Sequence, residues 1–156
     1  MLGDEVRGID TSKDGAWVLA TCESYLLLFP TSQGGKNGFD FMFKKAYKPV
    51  PKVLRVNVAA AHRHGIHPVN FLYGRFDCSR NDLETKIVAS SGPWVMIWSF
   101  KDILEDNLVT IEIKRMTDDV VCNEFRFDSD QLLAATKNEI IKFGTRGVSK
   151  KNHRGY

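Results

Sequence analysis

The chain has 156 residues, a net charge of +3, 43% apolar and 26% charged residues, the make-up of one ordinary globular domain able to bury a core. No run approaches the roughly 20 apolar residues of a membrane span, and "MLGDEVRG" is not a basic region followed by an apolar one, which sets aside a secretory leader. The last thirteen residues carry Arg146, Lys150, Lys151 and Arg154 without an acid, so the +3 falls to −1 for everything before Gly144; so neutral a body does not read as a nucleic-acid-binding surface.

At the N-terminus Val6, Gly8 and Asp10 alternate with Arg7, Ile9 and Thr11 in a strand-like period of two. "SKDG" supplies a turn, with Asp14-Gly15 suited to the positive backbone angles of a tight hairpin. "AWVLATC" is a second strand, "ESY" a second turn, and "YLLLF" a continuous apolar strand of the buried kind. "FDFMFKKAYKPVPKVLRVNV" offers an outer strand, with Pro49 and Pro51 marking an irregular, edge-like piece. "HRHGIH" then reads as a polar insertion loop capped by Pro68.

Strand and turn recur in "FLYGRFDCSRNDLETKIVASSGPWVMIWSF", where "KIVAS", the turn "SGP" and "WVMIWSF" follow one another. "FKDILEDN" has room for one helical turn at most, helix being otherwise nearly absent, and "DNLVTIEIKRM" gives the matching outer strand. After the turn "TDD", "VVCNEFRFDSDQLLAATKNEIIKF" repeats the order with turns at "DSDQ" and "KNE". Aligning Ala20-Thr21, Ala89-Ser90 and Ala135-Thr136 gives intervals of 69 and 46 residues. The second interval is close to the roughly 40–45 residues of a propeller blade, and the first is a blade with an insertion.

The expected fold is therefore all-β: a partial β-propeller of about three WD-repeat-like blades at residues 6–58, 69–117 and 118–146, within a unit spanning 1–147. A basic tail at 148–156 is expected to be disordered. Three generic hairpins of a sandwich or barrel are the competing architecture. Three blades do not close a ring that typically needs 4–8, and an unclosed stack leaves apolar faces and an edge open. The expectation is a fragment of a larger propeller, or one completed by self-association.

"GIDTSKDGAWVLATCESYLLLF", "KPVPKVLRV", "VASSGPWVMIWSF" and "IKRMTDDVVCNEFRFDSD" together resemble, in order and over roughly Val6 to Phe143, the C-terminal WD-repeat-like region of the vacuolar import and degradation protein twenty-seven family. The resemblance implies the end of a cytoplasmic propeller with a part in vesicle-linked protein turnover. It attaches no catalytic motif to this region.

Candidate site residues are few. His62, His64 and His67 have spacings at which imidazoles meet a zinc or copper ion, the basis of a rival reading as a metal-dependent enzyme. No Cys or acid adjoins them, and the polar loop is preferred. Cys22, Cys78 and Cys122 form an odd, widely spaced set that suits reduced thiols in cytosol or nucleus; Cys22 and Cys122 sit in apolar strand patterns and are expected buried and unreactive. Trp17, Trp94 and Trp98 read as packing residues. "SGPW" and "SQGGKNG" lack the setting of a phosphate-binding loop and read as turns, as does "TDD" with Asp118 and Asp119.

Lys150, Lys151 and Arg154 in the tail are the candidate contact for an anionic partner, either lipid head groups, nucleic-acid phosphates or an acidic protein. The resulting expectation is a non-enzymatic protein–protein interaction module with no cofactor, no metal and no catalytic residue. Its partners would be other proteins and the remaining blades or copies of the chain itself, with nucleic acid disfavoured. Its expected place is the cytoplasm, with vesicle association and with the nucleus left open.

Overall fold

The computed structural model of the chain describes residues 3–33, 36–37, 49–77, 84–125 and 131–144. The alternating opening stretch forms β1 (Val6–Thr11), which pairs antiparallel with β2 (Trp17–Cys22), itself paired with β3 (Leu26–Pro30). A short hairpin of β4 (Ser32–Gln33) and β5 (Lys36–Asn37) follows, and β6 (Lys52–Leu54) then closes the sheet against β3. Of the turn pair Asp14-Gly15, Gly15 alone takes a positive φ, +68°. Asp14 instead accepts from Ser12 Oγ at 2.6 Å and Ala16 N at 2.9 Å, bonds that favour its charged form and hold its carboxyl below the ordinary value.

The second unit repeats this plan. β7 (Arg75–Phe76), β8 (Lys86–Ser91), β9 (Trp94–Ser99) and β10 (Glu112–Arg115) form another four-stranded antiparallel meander. Of the expected strand in "FLYGRFD", only two residues join the ladder. Phe71 N bonds Glu23 O at 2.8 Å and Leu72 N bonds Ser90 O at 2.8 Å, so this stretch spends its backbone groups tying the first sheet to the second. The third unit, β11 (Val120–Phe125), β12 (Gln131–Thr136) and β13 (Ile140–Gly144), is a three-stranded meander among the described residues.

The three sheets are antiparallel, as in a partial propeller, and they touch along their early strands, β1 against β7 and β11 against both β7 and β8. The middle sheet is apolar on both faces. Ile87, Ala89, Met96 and Trp98 point toward the first sheet, into a core with Leu19, Leu26, Leu28 and Leu54. The alternate residues Val88, Val95 and Ile97 point the other way, into a second core with Met116, Val120 and Ala134. A strand buried on both faces reads as a continuous apolar run, which is why "WVMIW" lacks alternation.

The repeat register needs a one-residue correction. The turns are closed by Cys22 N to Tyr25 O and Thr136 N to Glu139 O, both at 2.9 Å, and Ser91 pairs with Trp94 in the same place. Ala20-Thr21 and Ala89-Ser90 therefore correspond to Ala134-Ala135, and not to Ala135-Thr136; the interval from Ala89 to Ala134 is 45 residues. Ala89 and Ala134 each face the preceding sheet, while Thr21 and Ser90 face the following one.

Helix was expected only at "FKDILEDN", where α2 (Phe100–Leu104) indeed forms, capped by Ser99 Oγ. A second helix, α1 (Val58–His64), corrects the reading of an insertion loop. Asn57 Oδ1 accepts from Ala60 N at 2.7 Å, and Gly65 ends the helix at φ 69°, the two caps that hold a three-alanine run in a helix of about two turns. No helix among the described residues is long and apolar enough to cross a membrane.

Candidate functional site

A cleft of about 800 Å³ opens where the sheets meet, at the end from which β1, β7 and β11 start. Four pieces of backbone wall it: the start of β1, the α1–β7 connection, the β8–β9 turn and the β10–β11 turn. These pieces are bonded to one another. Asn70 N donates to Ser91 Oγ at 2.9 Å, Val120 N to Gly92 O at 2.9 Å and Met116 N to Pro93 O at 2.7 Å. With the links from Phe71 and Leu72, the walls are held before anything binds.

Trp94 stands at the centre of the lining. It is half-buried, meets the His64 imidazole edge-on at 5.4 Å between ring centroids, and carries the Arg115 guanidinium over its ring at 5.5 Å. Arg7 reaches the cleft from β1, hydrogen-bonded to Asn70 Oδ1 and paired with Glu23 at 3.2 Å. Phe71, Leu72 and Tyr73 add apolar wall, Phe71 buried and Tyr73 exposed. Among the described residues, Asp119 is the one carboxylate in the lining. Charged donors beside an aromatic ring, with apolar walls, suit a polar group carried on an apolar frame.

The histidines do not assemble a metal centre. His62 and His64 lie two residues apart on α1, about 200° around the helix, and His67 follows its end. Among the described residues no group of three His, Cys, Asp or Glu side chains can hold a metal ion. His64 and His67 instead line the cleft, and the expected polar loop is replaced by a helix and a cleft wall.

Of the other expectations, one is extended and one changes. Trp98 is wholly buried, Trp17 packs edge-on against Phe100 at 6.0 Å, and Trp94 packs against the same core, all in packing roles as expected; Trp94 in addition lines the cleft. Cys22 is buried as expected, and burial pushes its thiol up, away from the reactive thiolate; Cys122 is exposed on the face of the third sheet that points away from the second. In a Cys78→Ser background, an aqueous maleimide is therefore expected to modify Cys122 within minutes and Cys22 only on unfolding, as read by mass of the tryptic peptides. Equal rates at both thiols would contradict the packing of β2. Cys78, the turn "DSDQ" up to Asp130, and Lys150, Lys151 and Arg154 with the rest of the basic tail lie outside the described residues.

Sequence reasoning did not single out Trp94, Arg115, Arg7 or Asp119 as site residues. The one local signal was a tryptophan directly after the Gly92-Pro93 turn, a place where a large ring stands at a sheet end.

Comparison with known proteins agrees with the sheet pattern. Residues 1–155 match the family model of the VID27 C-terminal WD40-like domain. The chain is similar to the vacuolar import and degradation protein 27 of Saccharomyces cerevisiae, 34% identical over 151 residues that cover 89% of this chain and 19% of the relative. It is also similar to the protein of the same name from Schizosaccharomyces pombe, 31% identical over 140 residues, covering 85% of this chain and 18% of that relative. The chain thus spans about one-fifth of the length of these curated relatives.

Proposed function

The chain belongs to the VID27 C-terminal WD40-like domain family, and from that premise we propose that it is a non-enzymatic protein-interaction module of a vacuolar import and degradation factor, working in the cytoplasm and at vesicles. The observation that carries this reading is the cleft around Trp94, whose walls come from two sheets and the turn leading into a third and are hydrogen-bonded to one another. A pre-fixed surface binds without a large ordering cost. Arginine and tryptophan, the residue types at its centre, are those that dominate the energetics of protein interfaces.

The test is affinity capture with the intact protein. Trp94→Glu is expected to lose most of the proteins retained by the unaltered protein. Val109→Glu, on an exposed residue before β10 at the opposite end of the sheets, is expected to keep them. Recovery of the same proteins in the same amounts with both variants would end the assignment of docking to this cleft.

A further inference from the structure

We infer that the cleft takes a segment of a partner protein that presents a single acidic group, a side-chain carboxylate or phosphate, to Arg115 with a neighbouring apolar side chain against Trp94. This rests on the reading of the cleft as a protein-docking surface and supplies the chemistry of its ligand.

The charges in the cleft decide the point. Arg7 is already occupied, by Glu23 at 3.2 Å and by Asn70. Arg115, exposed at the end of β10, forms no ion pair among the described residues and lies over the ring of Trp94. A guanidinium lying over a ring keeps its N–H groups around its rim, where they meet a carboxylate or a phosphate two at a time. His64 meets the same indole edge-on and adds a ring nitrogen beside it. One unopposed guanidinium with an imidazole matches a single anionic group.

A polyanion needs more. Nucleic acid would want a row of cations along its backbone, and a membrane surface would want several basic side chains together; Asp119 in the lining opposes both. The walls of Phe71, Leu72 and Pro93 give an anionic side chain an apolar neighbour to carry with it. A peptide segment has both.

The experiment measures fluorescence polarisation of labelled dodecapeptides against the intact protein. The first probe is a Gly/Ser dodecapeptide with one Glu beside a central Phe; the second carries phosphoserine in place of that Glu; the third carries Lys there. Both acidic probes are expected to bind, their ratio showing whether carboxylate or phosphate is preferred, and the Lys probe at least about tenfold more weakly, the worth of one charge-assisted contact. Arg115→Glu, an exposed substitution checked for an unchanged melting curve, is expected to weaken the acidic probes by about tenfold or more. Asp119→Asn is expected to tighten them.

Equal binding of the Lys probe, or acidic binding indifferent to Arg115→Glu, overturns the inference. So does Arg115-dependent retention on phosphatidylserine vesicles with no binding of the acidic probes. If the probes fail while Trp94→Glu still releases the captured proteins, docking at the cleft stands and the acidic ligand falls.

Discussion

Replacing Trp98 by Ala is expected to lower the unfolding free energy by about 3–5 kcal/mol, against the roughly 5–15 kcal/mol of a typical domain. Trp98 has no exposed surface, pairs in the ladder with Ile87, and meets Phe71 edge-on at 6.1 Å between ring centroids. It fills the space between the first and second sheets together with Met96, Leu19 and Leu26. Truncation would leave a cavity that close-packed strands on two sides cannot collapse into. Trp98→Phe should behave differently. The indole Nε1 is buried with no hydrogen-bond partner among the described residues, and an orphaned buried donor itself costs about 1–3 kcal/mol. Removing it offsets part of the lost volume, so Trp98→Phe is expected to cost about 1–2 kcal/mol or less. Urea unfolding followed by circular dichroism gives both values. A loss under about 1 kcal/mol for Trp98→Ala would show that the sheets do not share a packed interior.

Strands and turns were legible in the sequence because a period of two and short polar breaks are local properties. The double-sided burial of β8 and β9 is written in the apolar runs "IVA" and "WVMIW", but it was not singled out there as it was for "YLLLF". The register of the third unit was not legible. In "LLAATK" three small residues in a row leave the alignment ambiguous by one, and the turn bond from Thr136 N to Glu139 O is what fixes it. α1 was visible only through its caps, since Asn57 and Gly65 flank a run whose histidines drew attention to metal chemistry instead. The cleft was beyond sequence reading for a geometric reason. Arg7, His64, Trp94 and the pair Arg115 and Asp119 come from four separate places in the chain, and only the side-by-side placement of the sheets makes them neighbours. Each alone reads as an ordinary surface or packing residue.

That placement is itself testable at Gly74, where the second unit begins on the back of the first. Gly74 is buried, and its N–H donates to Thr21 Oγ1 at 2.8 Å. A Cβ there would stand 3.1 Å from that oxygen and 3.2 Å from a methyl carbon of both Leu19 and Leu26. Those three side chains lie in β2 and β3 at or below 1% exposure, so none can swing into solvent to make room. Gly74→Ala is therefore expected to cost about 1–3 kcal/mol by overpacking. Thr21→Val keeps the shape and removes the acceptor, leaving the amide of Gly74 buried without a partner, at about 1–3 kcal/mol; Thr21→Ser keeps the acceptor and should lose only the methyl group. Because both sites act through one contact, the double variant Thr21→Val/Gly74→Ala should cost less than the two singles added together. Strict additivity in that cycle would mean the first and second units do not meet along β2 and the start of β7. The radial stacking would then lose the hydrogen bond that sets one sheet against the next, and the cleft would lose its fixed walls.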